Sequence, residues 1–195
     1  SMTQLEFVCV THRSQLRRFG NCLMTNTYLL QNCAVISPDK FISCAEVLIK
    51  DGKIIKVGNC NELHADLTES ISKYDLEGRI LCPGFVNPHA HLYSSLATGL
   101  APKGSTANFS EVLSNLWWPL DAALDQETVY ASAVSGIIDA VKHGVTTIFD
   151  HHASMFFVEN SLDAIKKAFE LAGIKGVLCF ETSDRKSSET VDKHI

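Results

Sequence analysis

Two histidines one residue apart, His89 and His91, stand in the stretch "CPGFVNPHAHLYSSLATGL" (residues 82–100), just after an apolar run that ends at Pro83 and Gly84. In a strand, residues i and i+2 face the same way, about 6.6 Å apart. His89 and His91 would therefore aim two imidazoles at one point while Ala90 turns away. Neutral imidazole is the commonest metal ligand, and two converging rings can hold zinc or iron. The same spacing also fits two ordinary histidines at a strand end, so the pair takes its meaning from its setting.

More polar groups follow at intervals. "DHHAS" places Asp150, His151 and His152 at the end of a short β-branched run, where one histidine would point inward and the other into the loop. Glu181 closes the next apolar run, with Asp184 and Arg185 behind it. A carboxylate there could read a heterocyclic N–H and an arginine a carbonyl or carboxylate, although a loop salt bridge would use the same residues. Trp117 and Trp118 lie in a long connection, residues 92–124, either packing a short helix on the core or lining a substrate pocket. Connections of that length without a function are uncommon. His12, His64, His143 and His194 are isolated and read as solvated or capping.

The elements that must carry these groups are of two kinds. "TYLLQNCAVIS" and "CAEVLIKDGKIIKVG" are Val-, Ile- and Leu-rich runs, the second split at Asp51-Gly52, the dipeptide that suits a two-residue hairpin turn. "DLEGRILCPGF" reads as a further strand pair broken at Gly78, so residues 27–79 are expected to form a small antiparallel β unit. Strands and helices then alternate. "RILCPGFVN" reads as one buried strand ending near His89. Asp125 is placed to cap a helix running to His143, with Glu127 in its first turn and Gly144 as its stop. "VTTIFD" is a second strand, "NSLDAIKKAFELAG" a second helix stopped by Gly173, and "IKGVLCFET" a third strand. Such alternation predicts an α/β fold with parallel strands joined by crossovers.

Composition narrows the function classes. With 195 residues, 46% apolar and 20% charged, the chain reads as a soluble globular protein. The net charge of −5 argues against nucleic acid as main partner, and no apolar run is long enough to span a bilayer. The seven cysteines are scattered and never form a C-x-x-C pair, which predicts reduced thiols and a cytoplasmic protein. Phosphate-cradling, dinucleotide-binding and serine-hydrolase motifs are absent, as is the H-x-E with P-C-x-x-C pattern of cytidine-deaminase-type zinc sites.

The setting of the histidine pair resembles a known family. "LEGRILCPGFVNPHAH" resembles the signature of the amidohydrolase superfamily, and "VLIKDGKIIKVG" resembles the hairpin that opens those proteins. "SNLWWPLDAALDQETVYASAV", "DHHAS" and "CFETSDR" are similar to the SsnA-like aminohydrolases, near the cytosine and 8-oxoguanine deaminase branch. Residues 1–26 read as a peripheral extension, and the resemblance implies 27–79 as the small β domain. It implies residues 80–195 as the first three β/α units of a TIM-like (β/α)8 barrel, truncated. His89 and His91 would be ligands of a divalent metal, zinc first and iron second. His151, His152, Glu181, Arg185 and Trp117 would be candidates to contact substrate. The remaining ligands and the general acid/base would come from later strands, so the chain would be the N-terminal part of an enzyme of roughly twice its length. The implied reaction is hydrolysis of a non-peptide C–N bond, foremost deamination of a small nitrogen heterocycle, in a complete enzyme that could be a homo-oligomer. A cyclic-amide hydrolase, a catalytically incomplete interaction partner and a stand-alone binding module are the other readings.

Overall fold

A computed structural model describes residues 7–9, 27–63 and 71–184. Arg185, His12, His64 and His194 lie outside the described residues, as does most of the extension over 1–26. The chain divides into two compact units, residues 1–85 and 86–195.

In the first unit, β2 (Thr27–Ser37) pairs antiparallel with β3 (Lys40–Lys50), and β3 with β4 (Lys53–Asn59). The Asp51-Gly52 turn forms as its sequence predicts, both residues having positive φ (51° and 71°). Around Gly78 the expected strand pair does not form. β5 (Ser72–Asp75) and β6 (Ile80–Pro83) do not pair with each other; both run parallel to β2, at Tyr28–Gln31 and at Ala34–Val35. Residues 72–83 thus make one passage along β2, interrupted where Glu77 and Gly78 take φ of 53° and 77°. The Gly78 N–H donates to Asn32 O at 2.7 Å, and the Ala34 N–H to Arg79 O at 3.0 Å, so the glycine permits a bulge rather than a hairpin. The sheet is accordingly mixed instead of antiparallel. β1 (Phe7–Cys9), within the segment expected to be peripheral, adds antiparallel to β6. Cys33, Val35, Ala45, Val47, Ile49 and Leu81 form this unit's core.

Cys44 and Cys60 overturn the expectation of reduced thiols throughout. They are joined by a disulfide between β3 and the end of β4, with Cα atoms 5.3 Å apart. The two residues are 16 apart in sequence and share no recognisable motif; the β3–β4 pairing brings them together.

The run "RILCPGFVN" is split at Gly84 between two sheets. Its first half is β6; its second is β7 (Phe85–Ala90), which is hydrogen-bonded to β8 (Val145–His152) in a separate three-stranded sheet ordered β7-β8-β9. β8 and β9 (Lys175–Phe180) run parallel, from Thr147 opposite Lys175 to His152 opposite Phe180. β8 continues two residues beyond the expected strand and carries both histidines of "DHHAS" within it.

Four helices accompany this sheet among the described residues. α1 (Phe109–Val112) and α2 (Trp118–Asp121) are single turns flanking a π-helical segment, Leu113–Trp117, within the long connection. α3 (Gln126–Lys142) starts at Asp125 as predicted. The Asp125 carboxylate accepts the Thr128 N–H at 2.9 Å, and the Thr128 hydroxyl accepts the Asp125 N–H at 2.9 Å. This reciprocal cap satisfies two otherwise orphaned donors. α4 (Ser161–Ala172) connects β8 to β9 and ends at Gly173, whose φ of 69° terminates the helix. Val129, Ala133 and Ile137 of α3 and Ala164, Ile165, Ala168 and Phe169 of α4 meet Ile148 of β8 in one apolar core. The α/β class is as expected. No helix among the described residues is long and apolar enough to cross a membrane.

Candidate metal centre

β7 ends at Ala90 and delivers His89 and His91 to the mouth of a cavity of about 530 Å³. The other lining residues are Pro88, Phe149, Asp150, His151, Val177 and Cys179, drawn from all three strands of the sheet. The Asn87 side-chain amide oxygen, Oδ1, accepts the His89 N–H at 3.2 Å and steadies the strand end. Both imidazoles are exposed, and their Nε2 atoms lie 2.9 Å apart. His91 Nδ1 lies 3.0 Å from His151 O. A carbonyl only accepts, so that nitrogen carries a proton and Nε2 is the ring atom turned toward His89.

This donor set fits part of a divalent metal site. Two imidazole nitrogens converge on one point, one of them with its tautomer set by a hydrogen bond at the far nitrogen, as metal-binding histidines usually are. Among the described residues no group of three or more His, Cys, Asp and Glu side chains could hold a metal. The pair supplies two donors.

The residues of "DHHAS" part company. His151 is half-buried, lines the cavity, and stacks edge-on to His91 with centroids 5.4 Å apart; its Nδ1 is buried without a partner. His152 is fully buried and does not line the cavity. Its ring stands edge-on to Tyr93 and Phe180, at 5.6 and 5.4 Å. The Ser154 hydroxyl donates to Phe157 O and lies 2.8 Å from His152 Nε2, so it accepts that nitrogen's proton. Nδ1 is left a buried acceptor without a partner, and burial pushes the imidazole pKa down to about 4. His152 is thus a neutral core histidine.

Asp150 is almost wholly buried, at 1% exposure. Its Oδ1 accepts the Leu92 N–H at 2.7 Å, while Oδ2 has no partner among the described residues. Burial raises its pKa to about 6, against the lowering effects of the Leu92 hydrogen bond and of His91.

Trp117 and Glu181 are not among the residues that line the cavity. Trp117 is half-buried and meets Tyr93 edge-on at 6.5 Å. Glu181 donates its backbone N–H to His152 O at 2.8 Å. Sequence reasoning missed the apolar walls, Phe149 and Val177, and the thiol of Cys179, which lies 3.5 Å from Asp150 O. Their period-2 placement on β8 and β9 was the available signal.

Residues 80–195 match the amidohydrolase family. The 5′-deoxyadenosine deaminase of Methanobrevibacter smithii is 34% identical over 173 residues, covering 87% of this chain and 36% of that protein. The 5-methylthioadenosine/S-adenosylhomocysteine deaminase of Thermococcus sibiricus is 32% identical over 163 residues, covering 83% and 35%. Among solved structures, the guanine deaminase of E. coli superposes with a TM-score of 0.65 at 20% identity, over 85% of this chain and 38% of that one. Atrazine chlorohydrolase TrzN from Arthrobacter aurescens, complexed with zinc, gives 0.62 at 23% identity, over 78% and 35%. The chain spans about a third of the length of the curated relatives it matches.

Proposed function

This chain belongs to the amidohydrolase family, and from that premise we propose that it is the metal-binding N-terminal part of an enzyme that deaminates a small nitrogen heterocycle. The observation that carries the reading is the approach of His89 Nε2 and His91 Nε2 to 2.9 Å at a cavity mouth. His89 and His91 would hold a divalent metal, zinc before iron, alongside ligands from outside the described residues. When bound, such a metal supplies a Lewis acid that makes water a competent nucleophile near neutral pH.

The rest of the cavity suits a flat heterocycle. Its volume lies within the roughly 300–1,000 Å³ usual for small-molecule sites. Pro88, Phe149 and Val177 give apolar walls for the ring faces. His151 lines the cavity and would exchange a hydrogen bond with a ring nitrogen or exocyclic group. The names of the matched relatives, deaminases of adenosine derivatives, support deamination over cyclic-amide opening.

The test is ammonia release by the complete protein from 5′-deoxyadenosine, 5-methylthioadenosine and guanine. Turnover of at least one, abolished in His91→Ala, is the expected result. Ring opening of a cyclic amide, with no ammonia released from any of the three, would replace this reading with the hydantoinase type.

A further inference from the structure

His91 is exposed, yet the residue that follows it is among the most tightly held in the second unit. Leu92 opens a 3-10 turn, Leu92–Ser94, and its backbone is gripped on both sides by buried side chains from distant elements. From β8, Asp150 Oδ1 accepts the Leu92 N–H at 2.7 Å. From α3, the Ser132 hydroxyl donates to Leu92 O at 2.7 Å and accepts the Leu96 N–H at 3.3 Å. Asp150 and Ser132 are 1% and 2% exposed, so neither bond competes with solvent. The Leu92 side chain is buried in the α3–α4 core, and it lies over Gly136, where a Cβ would come within 2.8 Å of Leu92 Cδ2.

The location of this grip gives it a consequence. His91 has left strand geometry, with φ −131° and ψ 75°, one residue beyond the end of β7 at Ala90. Its carbonyl accepts the Ser94 N–H and hydroxyl and its ring meets His89 and Tyr93, while the Nδ1 contact to His151 O and the fixed peptide that follows tie it to β8 and α3. β8 supplies both a carbonyl for the ring and a carboxylate for the peptide, and α3 supplies the opposing hydroxyl. We infer that Asp150 and Ser132 are positioning residues for the His91 ligand, clamping Leu92 so that His91 Nε2 is held in register with His89 Nε2 before a metal arrives. Pre-set ligands bind more tightly because less freedom is lost on binding. The inference rests on the proposed metal role of His91.

Zinc affinity of the complete protein, measured by competition with a chromophoric chelator, tests it in the unaltered protein and in Ser132→Ala, Asp150→Ala, Asp150→Asn and His91→Ala. Melting temperature and Leu92 amide exchange are followed in parallel. Ser132→Ala and Asp150→Ala are expected to weaken zinc binding about 10- to 100-fold, the usual effect of losing a group that orients a ligand. Asp150→Asn keeps a carbonyl acceptor for the Leu92 N–H and is expected to stay within about 3-fold of the unaltered protein. Ser132→Ala removes a single oxygen and reads the clamp even where Asp150→Ala melts too low to assay. Zinc binding unchanged in Ser132→Ala, with Leu92 exchange accelerated and His91→Ala defective, would overturn the clamp. Equal losses in Asp150→Asn and Asp150→Ala would overturn the hydrogen-bonding role of Asp150. Unchanged zinc binding in His91→Ala would instead remove the metal role on which the inference stands.

Discussion

His89 and His91 bring their Nε2 atoms to 2.9 Å, while the other ring nitrogen of His91 is anchored on the backbone carbonyl of His151, sixty residues later in the chain. The pair is local in sequence, but its geometry is not. β8 fixes the tautomer of one ring through a carbonyl and the path of the following peptide through Asp150. A strand end without those contacts would present the same two residue types without a defined point of convergence.

His152 and Asp150 titrate in opposite senses across mildly acidic pH. The pKa of His152 falls from 6.5 to about 4, so the unfolded chain takes up a proton that the folded one refuses. Its contribution to stability is complete above pH 6.5 and is lost as pH falls toward 4. The pKa of Asp150 rises from 3.8 to about 6, so its contribution is complete below pH 3.8 and is lost as pH rises through about 6. The two slopes oppose each other. Asp150→Asn removes one of them, and urea denaturation of that variant is expected to show stability rising between pH 4 and 6.5 by on the order of 3 kcal/mol. A flat profile in Asp150→Asn would contradict a buried neutral His152.

The Cys44–Cys60 disulfide closes a short loop between β3 and the end of β4. Loops of this size contribute about 3 kcal/mol through restriction of the unfolded chain. Cys44→Ser, or reduction of the unaltered protein, is expected to lower the urea midpoint of the first unit. Mass spectrometry without reductant should find two hydrogens fewer than the reduced chain. Alkylation of both Cys44 and Cys60 in the native, unreduced protein would show the bond is not made.

Gly176 of β9 lies against the buried ring of Phe169, and a Cβ there would meet three ring carbons at 2.9 Å. Phe169 is 5% exposed and enclosed in the α3–α4 core, so it has little room to retreat. Gly176→Ala is expected to destabilise the protein by about 1–3 kcal/mol through overpacking, despite the better strand propensity of alanine. Thermal melts measure this; an increase in melting temperature would mean that the ring can yield.

Asp125→Ala removes the acceptor of the Thr128 N–H and half of the reciprocal cap on α3. A loss of about 1 kcal/mol is expected, read from the denaturation midpoint. Asp125→Ser or Asp125→Asn should recover most of it.

The features legible in the sequence were those set by neighbours along the chain. The Asp51-Gly52 hairpin, the Asp125 cap and the glycine stop of α4 each follow from a few adjacent residues. Gly78 was misread because a positive-φ glycine suits a bulge as well as a turn, and the choice lay with β2, which accepts β5 and β6 end to end along its length. Cys44 and Cys60 meet only through strand register. In the candidate site, the alternation of His89 and His91 could be read directly. The burial of His152, by contrast, required knowing that Tyr93 and Phe180 would flank it, and the grip of Ser132 and Asp150 on Leu92 spans three elements with no shared motif.

The central claim is that His89 and His91 are metal ligands. Its most direct test is the divalent metal content of the purified complete protein, by plasma mass spectrometry, beside His89→Ala and His91→Ala prepared identically. Near-stoichiometric metal in the unaltered protein and marked depletion in both folded variants is the predicted result. Equal metal content in all three would contradict it.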